Sequence, residues 1–113
     1  MKSYNFNVHT DITRAMSHYN KTQSKIRFTT LDATLLNLVR SFSDSKTEFY
    51  MSNKELSQIL IADPSTIQRS VDKLVDTKLI SKKITYVNNK PKRILSYQED
   101  HVGELFGELY GEL

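Results

Sequence analysis

Cysteine is absent from the 113-residue chain, which excludes a disulfide framework and thiolate metal sites and is compatible with a reducing compartment. The three histidines, His9, His18 and His101, do not stand at metal-ligand spacing, so no metal or other cofactor is expected. No apolar run approaches the roughly 20 residues of a membrane span, and the first residues lack the apolar stretch of a signal peptide. The expectation is a soluble, cytoplasmic protein with no membrane partner. A phosphate-binding loop, a dinucleotide fingerprint and a nucleophile elbow are all missing, and no convergent polar groups mark a small-molecule pocket. Tyr50, Tyr86 and Tyr97 stand where a sheet needs aromatic packing, whereas a nucleophilic tyrosine would need an arginine-rich pocket that this length hardly provides. One core with extensions fits, a separate catalytic domain does not, and no enzymatic activity is expected. Proline occurs twice and glycine three times, the glycines all within residues 103–113.

What the chain does contain is a run of well-punctuated short elements between Met51 and Tyr97. Ser52 followed by Glu55 is a capping box, in which hydroxyl and carboxylate satisfy backbone N–H groups left unpaired at a helix start. A helix of about nine residues should begin near Asn53, with Leu56, Ile59 and Leu60 as its apolar stripe. Asp63-Pro64 marks the next start, because Asp can accept from the first amides and Pro is preset near a helical φ. Steps of about 100° per residue then turn Ile67, Val71, Leu74 and Val75 inward and Ser65, Thr66, Arg69 and Lys73 outward, with Gln68 at the flank. After Asp76-Thr77-Lys78 the pattern becomes β-branched and aromatic. Ile84–Val87 and Ile94–Tyr97 read as antiparallel strands joined by a loop over residues 88–93.

Upstream, Thr29 or Thr30 can cap a helix with Leu31, Leu35, Leu38 and Phe42 in its stripe, widened by Leu36 and Val39. Phe49-Tyr50-Met51 suits a short strand beside the hairpin. An amphipathic segment from Asp11 to about Asn20 presents Ile12, Ala15, Met16 and Tyr19 on one side, to pack on the core or on a second subunit.

Residues 28 to 97 resemble the winged helix-turn-helix domains of bacterial, plasmid and phage regulators and replication-associated proteins. The matching elements are Leu56 to Leu60, then Ser65, Thr66, Ile67, Arg69, Val71 and Leu74, then Leu79 and Ile80 with the basic strands after them. Thr77-Lys78 departs from the pattern, since related sequences often place glycine at that helix end. The resemblance implies an α+β fold, a three-helix core plus a β-hairpin wing. Residues 1–27 form an N-terminal helical extension, 28–98 the winged domain and 99–113 an acidic amphipathic C-terminal helix.

Charge is distributed unevenly. All sixteen Lys and Arg lie in residues 1–98 with eight acids, whereas residues 99–113 hold five acids and no Lys or Arg. Lys78, Lys82, Lys83, Lys90, Lys92 and Arg93 follow one another without an intervening acid. Such a surface suits DNA, because neutralised phosphates release condensed counterions. Arg69 has the planar fork that pairs with guanine O6 and N7, and Ser65, Thr66 and Gln68 can make shorter-range contacts, so these four are the candidates for base readout. Lys73, Lys82, Lys83, Lys90, Lys92 and Arg93 are the candidates for phosphates.

The segment GELFGELYGEL spaces Val102, Leu105, Phe106, Leu109 and Tyr110 as an apolar helical face. Each glycine costs about 1 kcal/mol relative to Ala, so this helix needs a partner. Dimerisation, with the glycines permitting close approach, is one reading, and an intramolecular cover is the other. The resulting expectation is a double-stranded DNA-binding protein, foremost a small homodimeric transcriptional regulator or repressor. Alternatives are a plasmid or phage replication-initiation or partition protein, and a winged-helix protein–protein adaptor.

Overall fold

The computed structural model describes the backbone of residues 8–23 and 25–112, and the side chains of residues 12–23 and 25–107. Five helices and one antiparallel hairpin follow in the order α1 (Val8–Thr22), α2 (Thr30–Asp44), α3 (Asn53–Leu60), α4 (Pro64–Asp76), β1 (Ile80–Val87), β2 (Lys90–Tyr97) and α5 (Glu99–Glu112). The fold is α+β and compatible with the expected winged arrangement. Among the described residues no helix is long and apolar enough to cross a membrane.

Helix starts follow the local code. Ser52 and Glu55 close the expected capping box on α3, and Thr29 caps α2 in a second one, with Asp32 as the reciprocal acceptor. Asp63 departs from expectation. It sits at the N-cap of α4 without a side-chain cap bond, so Pro64 alone marks this start. Helix ends use the left-handed backbone without glycine. Lys46, Ile61 and Lys78 take φ of 56°, 52° and 64° after α2, α3 and α4. At α4, Leu79 N–H donates to Leu74 O and Lys78 N–H to Val75 O, the paired bonds of a Schellman end.

The hairpin is tighter and longer than expected. Asn88 and Asn89 both have positive φ and turn the chain in two residues, as a primed turn requires. β2 therefore begins at Lys90, paired with Val87, rather than at Ile94, and β1 begins at Ile80 rather than at Ile84. Pro91 is tolerated opposite Tyr86 because this pair falls between the ladder bonds and the missing N–H points away from β1. Leu95 shares that outward parity, and its N–H donates 2.9 Å to Phe49 O, so the short strand expected over Phe49-Tyr50-Met51 is reduced to a one-residue bridge at Phe49 beside β2.

One core joins all the elements. Leu35, Leu36, Val39, Phe49, Leu56, Ile67, Val71, Leu74, Leu79, Ile80 and Leu95 are buried together with Ile12, Ala15, Met16 and Tyr19 of α1 and Val102 and Phe106 of α5. The terminal helices thus share the core of the central residues. Ile59, expected in the stripe of α3, is instead 53% exposed, because an eight-residue helix packing through Leu56 buries only a narrow strip.

Helix α5 lies on α1. Phe106 is fully buried, edge-on to Phe28 at 5.9 Å and to Tyr19 at 6.1 Å, while Tyr19 and Phe28 meet at 5.3 Å. Val102 and Phe106, two candidates for dimerisation, are thereby committed to the chain's own core and have no surface to offer a second copy. Leu105 is half-buried against the same cluster, and the side chains of Leu109 and Tyr110 lie outside the described residues. A Cβ added at Gly103 or Gly107 would meet nothing within 4 Å, so neither glycine serves a close approach inside the chain. Gly103→Ala and Gly107→Ala should each stabilise the fold by about 1 kcal/mol, measured as a raised denaturant midpoint. Destabilisation by either would reveal a contact made across that face.

Candidate nucleic-acid interface

The exposed strip of α4 begins with the residues expected to read bases. Ser65 and Arg69 are exposed and Thr66 half-exposed, and the Arg69 guanidinium donates from Nη2 to Thr66 Oγ1 at 3.3 Å. That contact is long and on the surface, so it orients the fork without committing it. Further along the same strip come Asp72 and Asp76, both exposed. A phosphate would be repelled there, which confines a favourable DNA contact to the first two turns of α4. These two acids lie on the expected outward face and were overlooked beside its polar and basic residues, although the 100° projection places them there.

Gln68 is held from both sides. Asn53 Nδ2 donates to Gln68 Oε1, and Gln68 Nε2 donates to Asp72 Oδ1 at 2.8 Å. The relay continues to the hairpin, where Arg93 Nη1 donates to Asn53 Oδ1 at 2.8 Å. Its polarity is set by its ends, since a guanidinium only donates and a carboxylate only accepts. With both ends of its amide engaged, Gln68 fits a positioning role better than the base readout expected of it.

Two residues expected at phosphates are structural. Lys73 Nζ donates 2.7 Å to Asp32 Oδ2 and 2.8 Å to Arg27 O, while the Ser70 hydroxyl donates 2.6 Å to Asp32 Oδ1. Asp32 is 1% exposed and also accepts from Thr29 N–H in the capping box, so this carboxylate joins α2 to α4. Arg93 is half-buried, with Nη2 donating 3.0 Å to Met51 O besides the bond to Asn53. Burial lowers its pKa from the ordinary guanidinium value and the Asp72 charge opposes that shift. Its Nε is buried without a hydrogen-bond partner among the described residues. Arg93 braces the hairpin on the start of α3.

Strand alternation divides the remaining basic run. Residues on β1 point alternately to opposite faces, so Lys82 lies on the face of Ile80 and Arg93 and lines a hollow with Val75 and Lys78. Lys83 faces the other way, beside Lys46 and Glu48. Lys92 shares that second face, with its ammonium 3.9 Å from the Tyr50 ring centroid and 3.6 Å from Glu48 Oε1. Lys90 is exposed beside the two-asparagine turn. Lys82 on one face and Lys83 and Lys90 on the other, with Ser65, Arg69 and the half-exposed Thr66, retain the exposure that DNA contact needs. Asn53 and Asp32 are the residues that sequence reasoning missed. Thr29-x-x-Asp32 has the spacing of a capping box and could have flagged Asp32, but nothing local points Asn53 at Gln68.

Neither the models of known protein families nor the curated proteins give a match to this chain. A solved structure described as a "possible transcriptional regulator from Methanosarcina mazei Go1" superposes with a TM-score of 0.60 at 19% identity, over 99% of this chain and 86% of that one. At that identity the likeness shows the fold.

Proposed function

We propose that the chain is a winged helix-turn-helix that binds double-stranded DNA and works as a small transcriptional regulator by occupying its operator. The observation that carries this reading is the cluster of exposed Ser65 and Arg69 with half-exposed Thr66 on the first two turns of α4, together with a hairpin that presents Lys82, Lys83 and Lys90. The description of the structural neighbour as a possible transcriptional regulator agrees with it. In this reading α4 enters the major groove and Arg69 pairs with a guanine edge. The hairpin lysines hold the backbone and carry no sequence information.

Selection of bound duplexes from a random pool tests the proposal, and the footprint of the winners counts the copies bound. Arg69→Ala should cost about 1–3 kcal/mol on the preferred site and relax the preference at one position. Lys90→Ala should weaken all sequences alike and reduce the slope of affinity against salt by about one unit. A sequence-selective loss at Lys90 would overturn its backbone assignment. Failure to retain any duplex at low salt would overturn the DNA reading and favour a protein–protein adaptor.

A further inference from the structure

Five described residues other than glycine take positive φ: Lys46, Ile61, Lys78, Asn88 and Asn89. Four are polar and lose nothing by facing water. Ile61 is the exception, with φ 52° and ψ 57° and a side chain 91% exposed. L residues avoid the left-handed region, β-branched ones most of all. The backbone at Ile61 closes α3, with Ile61 and Ala62 N–H both donating to Ser57 O, but among the described residues nothing covers the butyl group. Where local preference and fold disagree in this way, the residue is a candidate for a role outside folding.

The surroundings of Ile61 say what it could meet. It lines a shallow hollow with Ser57, Ala62, Asp63 and Thr66, so it stands next to the first turn of α4 and to a residue of the proposed readout set. Asp63 is exposed and its carboxylate makes no cap bond, which disfavours a phosphate in this hollow. An apolar group on a base edge meets no such repulsion. In the major groove that group is the C5 methyl of thymine.

We infer that Ile61 is a specificity-determining residue that packs against a thymine methyl beside the first turn of α4. The inference rests on the DNA-binding reading and deepens it by adding an apolar contact to the polar readout from Ser65, Thr66 and Arg69. It also gives a reason for an isoleucine where the backbone would favour glycine.

Replacing thymine with deoxyuridine removes the methyl and leaves every hydrogen bond of the base pair in place. Each thymine of a duplex selected by the native chain is replaced in turn, and binding is measured for the native chain and for Ile61→Gly. One position should show about fourfold weaker binding of the native chain, the value of one buried methyl group. Ile61→Gly should bind thymine and deoxyuridine equally there. Its thermal midpoint should be equal or higher, because glycine suits this φ. If no duplex is selected, the DNA reading itself fails. If duplexes bind but no single methyl matters, or if Ile61→Gly keeps the discrimination, the DNA reading stands and the role of Ile61 is overturned. A lower thermal midpoint for Ile61→Gly would show the side chain serving the fold, and would overturn it as well.

Discussion

Lys73→Met should cost about 3 kcal/mol of folding stability, whereas a lysine that only met phosphates would change it by less than about 0.5 kcal/mol. The asymmetry of the pair sets the size. Asp32 is 1% exposed and the Lys73 side chain 30%, so removing the lysine strands an anion that water cannot reach. Two donors remain, Thr29 N–H and the Ser70 hydroxyl, and solvent already reaches part of Lys73. Both effects place the cost at the lower end of the range for breaking a buried pair, about 3–5 kcal/mol. For a domain of this size the thermal midpoint should fall by about 12 °C, read by circular dichroism. Adding Asp32→Asn to Lys73→Met removes the stranded charge and should recover part of the loss. A Lys73→Met protein that melts with the native chain would return Lys73 to the surface role expected from its place on the outer side of α4.

Phe106→Ala should destabilise the fold by about 3–5 kcal/mol, the usual range for a fully buried phenylalanine. The ring packs edge-on against both Tyr19 and Phe28, which also meet each other, so its loss leaves a cavity beside a pair already in contact. The same experiment decides between the two readings of the C-terminal segment. With Phe106 packed inside its own chain, the thermal midpoint should not change over a hundredfold range of protein concentration. A midpoint that rises with concentration in the native chain and loses that rise in Phe106→Ala would put this ring between subunits, because association stabilises by mass action.

Much of the architecture was legible in short-range signals. Ser52 with Glu55, Pro64 at a first helical position, and the β-branched runs on either side of the asparagine pair each act over a few residues, and the elements formed where those signals stand. Extents were less legible. Asn88 and Asn89 both accept left-handed backbone, so the turn contracts and the strands take in residues 90–93, which composition alone assigned to a loop. Helix ends were weakly marked because Lys46, Ile61 and Lys78 stand where glycine would have announced a stop.

The candidate site divides along the same line. Ser65, Thr66 and Arg69 emerge on the surface as helical projection expects, and the two acids that limit the strip were visible in the same projection. Gln68, Lys73 and Arg93 were misplaced for one reason. Their polar atoms are engaged by Asn53, Asp32 and Met51, residues 15 to 42 positions away in the chain, and no periodicity encodes which distant group a long side chain will meet.

By itself, then, the sequence determined the order of the elements, their capped starts, the apolar faces and a body rich in Lys and Arg. These follow from interactions within about four residues and from composition. Only the tertiary structure decided which charges hold the fold and which face outward. Burying Asp32 requires a cation and Arg93 has to brace the hairpin, and both demands exist only once α2, α3, α4 and the hairpin have packed together.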